Sequence, residues 1–357
     1  MINDQVQKQQ GGNASTNLQG KSIVINQGIS YSDARDIAID VYKLNFLQLS
    51  HDAAELARTR AEELTESFLK KLQETNETAI DQMKQPAMQA ALFEAQKQYV
   101  TSGDEDMEHM LVDILVQRAL ISERNIKQIV LDEALKVVNK LTNEQLNILS
   151  LNFLLTRVSI SGVKNLESLI NYINNDLLIF INPNSNYHQS CFEHLAYSGC
   201  ATLLDSSWHK DVPELMLMTY PALFQKGFDD KEFEEFFGKP MSKFHGLLMS
   251  SFHTVNLYQF NQMNEELLYD KANEIGIENE FAEKIKQYFN NKLMSKKEVQ
   301  EWLLEKIPNL NFLIDNWGNE DNQLSKLKLT SVGIALAIAN CKQKIKDKNF
   351  DIGVWIK

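Results

Sequence analysis

Residues 20–50 read GKSIVINQGISYSDARDIAIDVYKLNFLQLS, and the reading of this stretch decides the fold. It divides into a short strand, a glycine turn and a strongly specified helix. Ile23, Val24 and Ile25 are β-branched and suit a pleated surface better than a helix. Asn17, Gln19 and Gly20 precede them and Asn26, Gln27 and Gly28 follow, all polar or turn-forming. Ser30 supplies an N-cap oxygen, and Asp33 three residues on completes a capping box that also suits the positive end of a helix. Ala34, Ile37, Ala38 and Val41 recur at helical spacing, with Asp36, Asp40 and Lys43 on the opposite face. Tyr42, Leu44, Phe46, Leu47 and Leu49 widen the apolar surface, which predicts burial on more than one side.

Upstream, residues 1–19 are rich in Gln, Asn and Gly and carry no hydrophobic period, the signature of a disordered tail. Downstream the pattern is helical almost throughout. Ala57, Ala61, Leu64, Phe68 and Leu72 predict a long helix over 52–75. Pro86 opens the next, which Gly103 stops. Asp104, Glu105, Asp106 and Glu108 lead a further helix, as acids at a positive helix end do; they lack the glycine and ligand spacing of a calcium loop. Helices follow at about 123–141, at 143–157 behind a Thr142/Gln145 capping box, at 165–181 and at 187–204. Pro213, Pro221 and Gly227 break the chain between 212 and 237, and a long helix is predicted over 242–275.

The last section has a different order. Helices at 279–293 and 296–306 and the apolar segment 309–318 precede an alternating strand over 324–329, and Thr330 caps a helix beginning Ser331-Val332-Gly333. That order is similar to a winged-helix module. Phe350, Ile352, Val354 and Ile356 then alternate as a final strand. The expected architecture is therefore mainly α: an irregular helical array with a short N-terminal β-strand and a small winged-helix-like C-terminal module. Its divisions are a tail at 1–19, a strand and turn at 20–30 able to serve oligomerisation, an array at 31–275 and the module at 276–357.

Composition narrows the function. A hydrophobic content of 43% supports a sizeable core, and the few prolines and glycines favour long helices over a β-rich fold. A net charge of −12 opposes a broad nucleic-acid or anionic-membrane surface. Residues 278–330 hold eight Lys against nine Asp and Glu, and the would-be recognition helix carries Asp315 and no Lys or Arg, so the module is expected to contact protein rather than DNA. Lys342, Lys344, Lys346 and Lys348 read as a solvated basic face. Cys191, Cys200 and Cys341, an odd and scattered set, suit a reducing cytoplasm. The apolar run at 329–341 falls short of the roughly 20 residues that span a bilayer, so no membrane partner is expected.

The stretch Gly28-Ile29-Ser30-Tyr31-Ser32-Asp33-Ala34-Arg35-Asp36-Ile37-Ala38 resembles the opening of a group of uncharacterised bacterial helical proteins, in which a short Asn/Gln-rich strand precedes the same helix. Leu329-Thr330-Ser331-Val332-Gly333-Ile334-Ala335 followed by Val354-Trp355-Ile356 is similar to the end of that group. The resemblance implies a setting in prokaryotic conflict or phage defence and brings no activity with it.

His188, Cys191 and His194, with Cys200 and His209 nearby, are zinc-ligand residue types. Their spacing is poor: on a helix, positions six apart lie about 120° from a common face. No metal and no cofactor is expected. Trp208-His209-Lys210-Asp211 reads as a loop. The common phosphate-loop, dinucleotide, zinc-protease and serine-hydrolase motifs are absent. The expectation is a non-catalytic oligomeric scaffold, sensor or regulator working through protein–protein contacts, with Ile23, Val24 and Ile25 pairing between chains. A hydrolase or nuclease with a nonstandard site around 188–209 and a DNA-binding regulator stand as alternatives.

Overall fold

A computed structural model describes residues 28–45, 51–183, 187–205, 209–318, 323–345, 348 and 350–357. The strand predicted at 21–26, with Ile23, Val24 and Ile25, lies outside them, as do Phe46, Leu47, Leu49 and Trp208.

The first half of the chain builds a helical body. Ser30 and Asp33 form the predicted reciprocal cap: Ser30 N donates to Asp33 Oδ2 at 2.9 Å and Asp33 N to Ser30 Oγ at 3.2 Å. That box starts α1 (Tyr31–Asn45), and Ile29 N donates to Asp81 Oδ1, which ties the entry to the body. Ala34, Ala38 and Tyr42 of α1 are buried, but Leu44 is 84% exposed, so the apolar face is narrower than the sequence suggests. In α2 (His51–Asn76) every residue of the predicted stripe, Ala57, Ala61, Leu64, Phe68 and Leu72, is buried. It packs on α1, on α3 (Pro86–Ser102) and on α4 (Glu105–Ala119). Gly103 closes α3 in the left-handed region (φ 63°), a conformation that favours glycine. Next come α5 (Ile126–Val137) and α6 (Asn143–Arg157), the latter held by the Thr142/Gln145 capping box.

Beyond α7 (Leu166–Tyr172) the chain continues through one π turn and one 3₁₀ turn to Phe180. The helix expected over 187–204 is shorter: α8 (Gln189–Tyr197) ends early and residues Ala201–Leu203 form strand β1. As predicted, the proline-broken region is fragmentary, with α9 (Val212–Thr219), a 3₁₀ turn at Pro221–Phe224 and α10 (Asp230–Phe237). The long helix predicted over 242–275 does not form. Its residues make a 3₁₀ turn at Met241–Leu247, an antiparallel pair of β2 (Leu248–Ser250) and β3 (Tyr258–Phe260), and α11 (Glu265–Glu274). Asn256 adopts a left-handed φ of 67° between the strands, which a continuous helix forbids.

The final section contains α12 (Asn279–Asn291), α13 (Lys296–Lys306), α14 (Asn311–Gly318), β4 (Leu327–Leu329) and α15 (Ser331–Lys344). The helix order matches expectation; the winged-helix reading does not follow. Leu324–Lys326 is a 3₁₀ turn, and β4 pairs with β1 (Ala201 opposite Leu329, Leu203 opposite Leu327) rather than with a wing strand. Residues 350–356 are not a strand: Ile352–Val354 is a 3₁₀ turn, with Trp355 packed on Phe153 at 4.8 Å between ring centroids and its Nε1 donating to Arg157 O. Phe350, Ile352 and Ile356 are buried, but Val354 is 60% exposed and Trp355 turns inward beside it, so the turn breaks the alternation that a strand would keep.

Helix α15 is the axis of the body. Its residues from Gly333 to Cys341 are buried, and it packs on α4, α5 and α6. A helix apolar on every face belongs in a core. Asn340 Nδ2 donates to Ser150 Oγ at 2.8 Å across the seam with α6, and Asn152 Nδ2 of α6 donates to Leu327 O of β4 at 3.0 Å, so α6 is tied to both α15 and β4 by buried hydrogen bonds as well as packing. Apolar clustering does not divide at 275: one core runs from Ala34 to Ile356, a second, phenylalanine-rich one spans Phe228 to Phe289, and a small third joins Tyr42, Ala57, Ala61 and Val100.

Candidate functional site

The His and Cys residues that the sequence brings forward do not converge on one point. His188 is the exposed residue before α8, with extended backbone (φ −67°, ψ 148°). His194 Nδ1 lies 3.0 Å from Gln145 Nε2 and 3.2 Å from Gln145 Oε1, and Gln145 Nε2 donates to Cys191 O at 2.9 Å. Burial pushes the Cys191 thiol up to about 11 and the Cys200 thiol up to about 12, so neither is a thiolate near neutral pH. His209 Nε2 bonds to Leu327 O of β4 at 3.0 Å, and desolvation lowers its pKa. Among the described residues no group of three or more His, Cys, Asp or Glu side chains is placed to hold a metal ion. In the acidic run that opens α4, Asp104 Oδ1 caps Met107 N, and Asp106 accepts from Gln343 Nε2 at 2.7 Å.

A different constellation is assembled where α2, α4 and α15 meet the C-terminal segment. Lys71 and Thr75 of α2, Asp113, Val116, Gln117 and Leu120 at α4, and Lys342, Ile345, Lys348 and Asp351 line a groove of about 650 Å³. Most of its charges are matched. Lys71 is ion-paired with Asp113, and Lys348 with Asp176 while lying over the Tyr172 ring. Asp351 Oδ1 accepts Gly353 N at 2.8 Å. Lys342 is the exception: among the described residues its side chain has neither a hydrogen bond nor an ion pair within 4 Å. Burial lowers its pKa; Asp113 and Asp351 act in the opposite direction and Lys71 in the same one. Gln117 Oε1, on the same groove, is buried without a donor.

Sequence reading missed this site because it is made by three separated helices. Lys342 and Lys348 read as solvated positions, and Lys71 and Gln117 carried no signal at all. One signal was present: a helix apolar on all faces up to Cys341 must be sheathed by protein, so a lysine one residue further sits at the rim of the core.

Fold and groove together define a mainly α-helical protein with, among the described residues, two small antiparallel strand pairs and a charge-lined groove beside its central helix. A family model whose description is “:-like” matches residues 28–356, and the chain belongs to that family. The match begins at Gly28, where the described structure begins, and takes in all three apolar clusters. No curated protein and no solved structure matches the chain. No helix among the described residues is long and apolar enough to cross a membrane.

Proposed function

We propose that the protein is a non-catalytic oligomeric scaffold, sensor or regulatory protein that acts through protein–protein contacts. The observation that carries this reading is the charge arrangement of the groove between α2, α4 and α15. One ammonium group, Lys342, is half-buried beside apolar side chains and, among the described residues, is near Asp113 and Asp351 without being ion-paired to either. Charges of both signs on a partly apolar rim are the make-up of a protein-contact surface. By contrast, His194 and His209 are engaged by Gln145 and by the Leu327 carbonyl within the fold. Self-association through Ile23, Val24 and Ile25, a cytoplasmic location and a bacterial setting in conflict or phage defence belong to the same proposal, supported by the opening and closing motifs and by the scattered cysteines.

Two measurements test it. Light scattering on the full chain and on a chain lacking residues 1–27 should give a lower mass for the shorter chain at nearly unchanged helical circular dichroism. Affinity purification from the native host should retain a defined protein on the wild type and lose it on a folded Lys342→Glu variant. A monomer in both chains, together with the same co-purifying set for wild type and variant, overturns the proposal.

A further inference from the structure

Strand β2 leaves one edge of its sheet open, and the ladder fixes which backbone groups stand there. Directly opposite residues of an antiparallel pair alternate between hydrogen-bonded and unbonded positions. Asn261 N donates to Leu247 O and Ser251 N to Leu257 O, so at the intervening pairs Leu248–Phe260 and Ser250–Tyr258 the backbone groups point away from the shared seam. On the β3 side they are answered: Tyr258 exchanges two hydrogen bonds with Phe228, and Phe260 N donates to Gln225 Oε1. On the β2 side Leu248 N donates to His245 O, but Leu248 O, Ser250 N and Ser250 O have no partner among the described residues. We propose that an extended, basic peptide segment of a partner protein adds as a strand to this edge, its backbone pairing with Leu248 and Ser250 and a Lys or Arg side chain reaching Asp230 and Glu234. The surface is separate from the groove between α2, α4 and α15.

Charge selects the peptide. The edge opens on a groove of about 460 Å³ walled by α10 and the 3₁₀ turn Met241–Leu247. Asp230 and Glu234, four residues apart and so on one face of α10, both line it. The other acids of α10 are used within the fold, Glu232 by Lys292 and Glu235 by Lys231, whereas neither Asp230 nor Glu234 has an ion pair among the described residues. Cations close in sequence face elsewhere. Side chains three apart eclipse in a 3₁₀ turn: Met241, Phe244 and Leu247 are buried, Ser242 and His245 line the groove, and Lys243 shares the face of Gly246, which lies beside Ile275. Lys239 lies over the Phe281 ring at 5.6 Å. The groove therefore presents two carboxylates and no lysine or arginine of its own. An extended peptide answers the whole set: its N–H groups match Leu248 O and Ser250 O, a C=O matches Ser250 N, and its cation matches the acids. Met249 and the 40%-exposed Tyr258 add apolar contact beside that row. A nucleic acid is repelled by the carboxylates, and a second copy pairing edge to edge sets its own Asp230 and Glu234 against the same acids.

The test uses the purified full chain and a random heptapeptide library displayed on phage. Enriched sequences are expected to combine Lys or Arg with β-branched or aromatic residues, the composition of strands. Synthetic winners should bind about tenfold more weakly to the Asp230→Asn, Glu234→Gln double variant, as expected for losing a charge-assisted contact. Ser250→Pro deletes an outward N–H and leaves the inward donors Met249 N and Ser251 N in place, the position at which an edge strand tolerates proline. Its circular dichroism should match wild type while the peptides bind about tenfold more weakly. Backbone N-methylation of the peptides needs no variant to fold: methyl groups on one set of alternate residues should abolish binding, and on the other set should spare it. No enrichment, enriched peptides without Lys or Arg, equal affinity for wild type and the double variant, or indifference to the phase of N-methylation overturns the proposal. So does a change in oligomer mass that depends on Asp230 and Glu234 without peptide binding, which marks a second copy as the occupant. A folded Lys342→Glu variant should bind the peptides as wild type does; loss of binding there places them on the groove between α2, α4 and α15 and overturns the assignment to β2.

Discussion

Replacing Gly333 by alanine places a methyl carbon 1.9 Å from the carbonyl oxygen of Cys200. Real Cβ contacts essentially never fall below 3.0 Å, and the obstructing atom is backbone, so α15 and the turn before β1 must separate by about 1 Å or more. Three hydrogen bonds sit in that gap: Thr330 N to Cys200 O at 3.0 Å, Thr330 Oγ1 to Gly199 O at 2.7 Å, and the α15 cap from Gly333 N to Thr330 Oγ1 at 3.1 Å. Overpacking costs about 1–3 kcal/mol, and losing one or two of these bonds adds about 1 kcal/mol each. Alanine in place of glycine near a helix start returns at most about 1 kcal/mol. The net expectation is a loss of about 2–4 kcal/mol, read as a lower urea midpoint by far-ultraviolet circular dichroism. Gly318→Ala is the internal control, because a Cβ there meets nothing within 4 Å. A Gly333→Ala midpoint equal to wild type, or a shift no larger than that of Gly318→Ala, would refute the claim that Leu329-Thr330-x-x-Gly333 exists to seat α15 against the Cys200 carbonyl.

Three further outcomes follow from the same structure. Thr142→Ala removes the cap of α6, where Thr142 Oγ1 accepts from Gln145 N and Gln145 Oε1 from Thr142 N, and should lower stability by about 1 kcal/mol in the same denaturation assay. Burial depresses the pKa of both His209 and His253 below the ordinary value of 6.5, so the unfolded chain binds more protons: stability from these groups is full above pH 6.5 and falls as pH drops through their lower folded values. His253→Gln should flatten the unfolding free energy against pH between about 7 and 5, and an unchanged slope contradicts the assignment. With Cys191 pushed up to about 11 and Cys200 and Cys341 up to about 12, the native thiols should react with an aromatic disulfide at pH 7.5 far more slowly than in urea; one fast native thiol would show that a cysteine is exposed and activated.

What the sequence by itself determined were features that close within about four residues of chain. The Ser30/Asp33 and Thr142/Gln145 caps, the buried stripe Ala57, Ala61, Leu64, Phe68 and Leu72, and the stop at Gly103 all depend on interactions with the next helical turn, and each is formed as read. Residues 248–260 were different. Their apolar side chains satisfy a helical stripe and a strand pair alike, and the choice falls to contacts between distant parts of the chain: Gln259 Nε2 donating to Ala222 O, Phe260 N to Gln225 Oε1, and Phe228 N to Tyr258 O. The pairing of β4 with β1 and the turn at Ile352–Val354 were decided in the same way, by the space left beside α6 and α15. The groove is the extreme case. Lys71, Gln117 and Lys342 lie on three helices far apart in sequence, each an ordinary surface residue in its own neighbourhood, and only the packing of α2, α4 and α15 removes water from Lys342 and brings it near Asp113 and Asp351.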